Sequence, residues 1–251
     1  MDKNFLLRSL ILEIFPTVIS SDETEYLWQL FRSQVNKREP KPVSVEFLKK
    51  QDELLQLMIT EKGITDIANL QPIKENIYLW RGDITTLKVD AIVNAANSGM
   101  LGCFIPCHAC IDNAIHTFAG VQLRLECDEI MAKQGHPEPT GNAKITAAYN
   151  LPSTYILHTV GPIIKDTVTD KDRQLLANCY SSCLELAVKK GIKSIAFCCI
   201  STGEFRFPNE EAAKIAIQTV SDFNKNVKHN MKIVFNVFKE EDEQIYKQQL
   251  C

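Results

Sequence analysis

Along the chain, apolar positions follow two patterns in turn: helical spacing as far as about residue 70, then short unbroken runs. Leu6, Leu7, Leu10, Ile11 and Ile14 line one face of a helix. Ser20 with Glu23 suggests a capping box before "TEYLWQLFRSQV", and "NKREPKP" is a polar, proline-punctuated break. Ser44 is placed to cap "VEFLKKQDELLQLMIT", and Gly63 to end it. No strand candidate, repeat or low-complexity tract is visible in this first region.

From about residue 77 the runs "IYLW", "DAIVNAA", "YILHTV", "SIAFCCI" and "KIVFNVF" follow one another. Runs of this length without alternation describe strands covered on both faces. Helical patterns between them supply the cover: "CIDNAIHTFAGVQLRLECDEIMAKQ", "DRQLLANCYSSCLELAVKKG" and "NEEAAKIAIQTVSDFNKN". The expected body is an α/β sandwich with a largely parallel or mixed sheet, preceded by helices over residues 1–72. In such a fold, ligands meet the loops at the carboxyl ends of strands.

Composition narrows the class. The chain has 251 residues, 45% hydrophobic and 24% charged, as in a globular protein. A net charge of −3 gives no reason to expect nucleic-acid binding by a basic face. "LLRSLILEIF" is interrupted by Arg8 and Glu13 and is followed by no small-residue cleavage site, so an amphipathic helix is expected there rather than a signal peptide. No run reaches the ~18–20 apolar residues of a membrane span. Nine cysteines, with Cys198 and Cys199 inside an apolar run, argue for reduced thiols and a cytoplasmic setting.

Three loops carry unusual chemistry. In "RGDITTLKVDAIVNAAN", Asp83 opens a turn where its carboxylate could receive an amino group or backbone donors, and Asn94 and Asn97 close a buried strand beside small residues. In "CISTGEFRFP", Ser201, Thr202 and Gly203 form a glycine-containing turn of the kind that cradles phosphate on backbone N–H groups; Phe205 and Phe207 could stack on a ring or pack the loop down. In "GCFIPCHACIDNAIH", Cys103, Cys107, His108 and Cys110 fall within eight residues. C-x4-H-x-C spacing suits zinc, with three ligands leaving an open position; buried core cysteines and a catalytic cysteine with a histidine base are the other readings. Cys110 stands at a helix start, which favours its thiolate. His116 and His158 read as core histidines, His136 as a loop residue and His229 as part of a polar turn.

"GDIT", "VDAIVNAAN", "TGNAKIT", "YNLP", "HTVGP" and "STGEFRFP" stand in the order found in macrodomains, which bind ADP-ribose, and the chain resembles that family over roughly residues 75–250. The C-x4-H-x-C segment replaces the usual glycine-rich run, as in the zinc-dependent class of microbial protein-ADP-ribose hydrolases. The resemblance implies a three-layer α/β/α macrodomain with a central mixed sheet at residues 73–251, after a small helical N-terminal extension. By that resemblance Asp83, with Ile84, faces the adenine amino group; Asn97 faces the distal ribose and Asn94 shapes the same loop; Ser201, Thr202, Gly203, Glu204 and Phe205 bind diphosphate. Zn2+ would sit on Cys103, His108 and Cys110, with Cys107 left out, and Asp112 with Asn97 would serve catalysis. Arg206, where many macrodomains have glycine, could contact the diphosphate or point to solvent. The implied activity is removal of mono-ADP-ribose from protein side chains, with no membrane partner. A non-catalytic ADP-ribose reader and an O-acyl-ADP-ribose deacylase are the rival readings.

Overall fold

The computed structural model describes residues 2–227 and 230–250; His229 lies outside them. Three helices open the chain: α1 (Lys3–Ile14), α2 (Thr24–Lys37) and α3 (Val45–Lys62). Asp2 caps α1 by accepting from Phe5 N–H, and Ser44 caps α3 by accepting from Phe47 N–H. Gly63 ends α3 at φ 85°, where a glycine is unstrained. The capping box expected at Ser20 and Glu23 does not form. Helix α2 starts at Thr24 with Glu23 as its cap and no side-chain cap bond. Ser21 Oγ instead accepts the Glu23 N–H, and Ser20 Oγ lies 2.9 Å from the Tyr26 hydroxyl.

The first region also holds a strand that was not expected, β1 (Thr65–Asp66). It is only two residues long, too short to show a period. It exists because β3 (Leu87–Lys88) pairs with it in parallel. Between them comes β2 (Ile77–Arg81). The rest of the chain alternates: β4 (Ala91–Ala96), α4 (Ile111–Ala119), α5 (Val121–Gln134), β5 (Ala143–Ala147), β6 (Tyr155–Val160), α6 (Asp170–Lys189), β7 (Ser194–Phe197), α7 (Asn209–Asn226), β8 (Lys232–Val237) and α8 (Glu240–Leu250).

The main sheet has the order β2-β8-β7-β4-β6-β5. Five strands run parallel, and only the edge strand β5 runs antiparallel, against β6. Helices α6, α7 and α8 pack in succession on one face, while α4 and α5 cover the other, with α2 and α3 packed on α4. This is the three-layer α/β/α macrodomain-type arrangement with a mixed sheet. The apolar core is continuous: Leu6, Phe31 and Leu54 of the first helices belong to the same buried cluster as Ile92 of β4 and Phe235 of β8. The parallel direction puts the carboxyl ends of β2, β8, β7, β4 and β6 on one edge, and every chemistry-bearing loop lies there.

The pattern "CIDNAIHTFAGVQLRLECDEIMAKQ" reads as one helix but folds as two. Gly120 breaks it at φ 100° and ψ 171°, a region open essentially to glycine. The helix ends exposed by the break are satisfied from outside: Gln51 Oε1 accepts the Val121 N–H at 3.0 Å, and Asn150 Nδ2 donates to Ala119 O at 3.0 Å. A Cβ on Gly120 would lie 2.6 Å from Gln51 Nε2. Gly120→Ala is therefore expected to cost about 2 kcal/mol or more in urea unfolding, from backbone strain and the displaced Gln51. A change within about 0.5 kcal/mol, the scale of a surface substitution, would contradict this account.

Candidate active site

The adenine-side expectation rests on the turn after β2. Asp83 caps the single helical turn Ile84–Thr86, with Oδ1 accepting from Thr85 N–H at 3.0 Å and Thr85 Oγ1 at 2.6 Å. Its Oδ2 accepts from Lys62 Nζ at 2.8 Å, and the same ammonium lies 3.5 Å from the centroid of the Phe118 ring. Burial pushes the Asp83 carboxyl up, but the hydrogen bonds from Lys62 and Thr85 outweigh it and hold the pKa below the ordinary value. Ile84 is buried in the core beneath the turn. One aromatic that escaped the sequence reading stands beside it: Phe238, 75% exposed, follows β8 directly. The Gly82 N–H donates to Val237 O at 3.0 Å, which brings the Asp83 turn and Phe238 to neighbouring strand ends. An aromatic at the end of a buried run was the available signal.

At the end of β4 the two asparagines do different things. Asn94 is 0% exposed; its Nδ2 donates to Asp112 Oδ1 at 2.8 Å and lies 3.1 Å from His158 Nδ1. It supports Asp112 from below rather than presenting a face to a ligand. Asn97 is half-buried at the surface of the loop. Its Nδ2 donates to Gly102 O at 3.0 Å and to Asp112 Oδ2 at 3.2 Å, while its Oδ1 accepts the Gly99 N–H. Asp112 is thus held by two amides. Burial raises its pKa to about 6, against the lowering effects of Asn94, Arg124 and Asn97. His158 is a satisfied core histidine, with Nε2 2.9 Å from Thr146 Oγ1. His116 is buried too, but neither ring nitrogen has a hydrogen-bond partner; Nε2 is 3.6 Å from Asp112 Oδ1.

The loop between β4 and α4 brings Cys103, His108 and Cys110 together. Their ligand atoms lie within 4.8 Å of one another, with Cys103 Sγ 3.6 Å from His108 Nδ1. Cys107 is turned away at φ 53°, its Sγ 3.5 Å from Gln29 O of α2. Cys110 caps α4, accepting the Asn113 N–H at 3.4 Å. The helix start does not win at this thiol. Burial and the adjacent Cys103 and Asp112 raise it to about 12, the Asn113 N–H only partly opposing them. Two thiols and an imidazole thus face one half-buried space. An imidazole and two thiolates are a zinc donor set, so the residues fit the ion that the resemblance implies.

The turn after β7 lies across the same edge. Ser201 takes φ 66° and Arg206 φ 57°, and the Thr202, Arg206 and Phe207 N–H groups bond to Cys199, Gly203 and Ser201 carbonyls. Among the described residues, the Gly203, Glu204 and Phe205 N–H groups have no backbone acceptor. The buried Ser201 Oγ also has no partner. A Cβ on Gly161 would fall 2.0 Å from that oxygen, so the opposing "HTVGP" loop comes this close only as glycine. Phe207 is buried and packs the loop down, Phe205 is half-buried, and Arg206 is exposed. Glu204 Oε1 reaches within 3.6 Å of His108 Nε2, so the turn meets the cysteine loop.

The Macro domain family model matches residues 93–216. A protein-ADP-ribose hydrolase of Treponema medium is 62% identical over 86% of this chain and 85% of its own. The solved macrodomain of Oceanobacillus iheyensis, a variant with ADPR, superposes at TM-score 0.65 and 40% identity, over 72% of this chain and 95% of that one. The Trypanosoma brucei macrodomain in complex with ADP-ribose gives TM-score 0.68 at 29% identity, over 88% of this chain and 95% of that one. With its sheet order, its loops at one edge and these relatives in agreement, the chain belongs to the macrodomain family.

Proposed function

We propose that this chain is a hydrolase that removes mono-ADP-ribose from modified protein side chains, with a zinc ion held by Cys103, His108 and Cys110 beside the distal ribose. The observation that carries this reading is the meeting of the three donor atoms with the Asp112–Asn97 pair on one edge of the sheet. A reader module needs the cleft alone, whereas here a carboxyl near neutral pKa stands two residues from a donor set.

The chain's own groups divide the ligand among them. Asp83, whose Oδ2 already takes the Lys62 ammonium, keeps a lone pair there to accept from an exocyclic amine, and Phe238 offers a flat face to the heterocycle. The free N–H groups of Gly203, Glu204 and Phe205, with Ser201 Oγ, hold the diphosphate. That binding, remote from the reacting carbon, fixes the distal ribose against Asn97 and Asp112. Zinc in this donor set supplies Lewis acidity at the ribose. Hydrolysis breaks the bond between the anomeric carbon and the protein side chain and forms one to a water oxygen. Asp112, with its pKa near 6, is suited to take the proton from that water at neutral pH.

Release of free ADP-ribose from a mono-ADP-ribosylated protein tests the reading. It is expected to vanish on chelation and return with zinc. Release that survives verified zinc removal would leave the metal a structural role only, and binding without release would make the chain a reader. A second test separates Asp112's chemistry from its structural role. Because burial lifts its pKa from 3.8 to about 6, the ionised form opposes folding at pH 7.5 by on the order of 3 kcal/mol. The protonated form carries no such penalty, so stability is greatest below the unfolded pKa and falls as pH rises through the folded one. Asp112→Asn removes the penalty and loses one amide hydrogen bond of about 1 kcal/mol. We expect equal or higher melting temperature at pH 7.5 with release slowed roughly 100-fold or more. A marked loss of stability together with retained release would refute both assignments.

A further inference from the structure

We propose that Arg32, in the N-terminal helix α2, is a positioning residue for the metal loop, and that the helical extension is therefore a working part of the metal site. This rests on the zinc reading given above.

Residues 103–110 form neither helix nor strand, so their backbone polar groups need partners from elsewhere. Two side chains partner three of their carbonyls. Asn113, fully buried in the first turn of α4, donates from Nδ2 to Ile105 O at 3.0 Å and reaches Cys103 O at 3.5 Å. Arg32 Nη2 donates to His108 O and to Asn113 Oδ1, both at 2.8 Å. The carbonyl of one candidate ligand and the amide that holds another are thus joined by a single guanidinium. Asn36, one turn further along α2, adds a third anchor by accepting the Cys107 N–H at 2.9 Å. Cys107 has φ 53°, a conformation costly for a non-glycine residue, and these anchors hold it there. None of the three side chains is itself a metal donor. Their common effect is to hold His108 and Cys103 at the spacing observed.

The planar guanidinium is what makes the arrangement specific to arginine. One nitrogen serves two acceptors that face each other across the α2–α4 contact, on a rigid planar head. Without it, the His108 carbonyl loses its side-chain donor and the buried Asn113 Oδ1 keeps only the long 3.5 Å approach of Thr117 Oγ1. The loop then relaxes toward other conformations, and metal binding must bear the cost of reordering it. Partners of this kind around a metal site are worth about 10–100-fold in affinity.

The experiment measures zinc affinity of the full chain by competition with a chromogenic chelator, for the native protein, Arg32→Met and Arg32→Lys. Melting temperature of the zinc-free proteins and affinity for ADP-ribose are recorded alongside. Arg32→Met is expected to weaken zinc binding by about 10–100-fold, with ADP-ribose affinity of the zinc-free protein unchanged. Arg32→Lys, which keeps the charge and one donor, should fall between the two. Equal zinc affinity in the native and Arg32→Met proteins overturns the proposal and leaves the metal reading intact. Should Arg32→Met not fold, Arg32→Lys decides: several-fold weaker zinc binding supports the proposal, and native affinity overturns it. A native protein that binds no zinc removes the metal reading, and this proposal with it.

Discussion

Asp112 carries its carboxylate into the interior of the protein, and much of the geometry at the sheet edge follows from keeping it partnered. An unpartnered buried carboxyl costs several kcal/mol or takes up a proton, so two amides are brought to it from the strand on which α4 packs. Asn94 reaches it from within β4 and Asn97 from just beyond. Asn97 at the same time ties the start of the cysteine loop through Gly102 O. The position of α4, and with it Cys110 and Asn113, is set by the same contacts. A disturbance at any of these amides reaches both the reacting end of the cleft and the cysteine loop.

Much of the fold was legible because burial on both faces writes unbroken apolar runs. Ile77–Arg81, Ala91–Ala96, Tyr155–Val160 and Lys232–Val237 were read on that signal alone. Strand β5 was not, because an edge strand with half-exposed side chains has no such run. The split at Gly120 was hidden because the partners that stabilise it, Gln51 and Asn150, lie far off in sequence. The expected capping box failed for a local reason: the chain enters α2 three residues later than Ser20 would require.

The candidate site divides in the same way. Residue types at strand ends exposed the turn at Ser201 and the group around Cys103, since such chemistry at such places is seldom idle. What the sequence could not disclose was direction. Asn94 and Asn97 look alike in "VNAAN", yet only the three-dimensional strand decides that one points beneath Asp112 and the other lines the loop. Lys62 and Arg32 were invisible as site residues, for each matters only through a neighbour 21 or 76 positions away. Long-range partnership leaves no local pattern to read.

The first helices place a cation at each end of the cleft: Lys62 against Asp83, and Arg32 against the carbonyl of His108. The stretch that defines the family by sequence, residues 93–216, contains neither. The stretch matched by the family model is therefore smaller than the unit that packs as one, and the Treponema medium relative, aligned over 86% of this chain, carries part of the helical extension as well. A shuffling event that moved only the recognisable stretch into a new protein would carry the loops without the struts that tension them. It would also lay bare the apolar face that Leu54 and Phe31 now cover. For this chain, the boundary of the family model and the boundary of the continuous core are different lines.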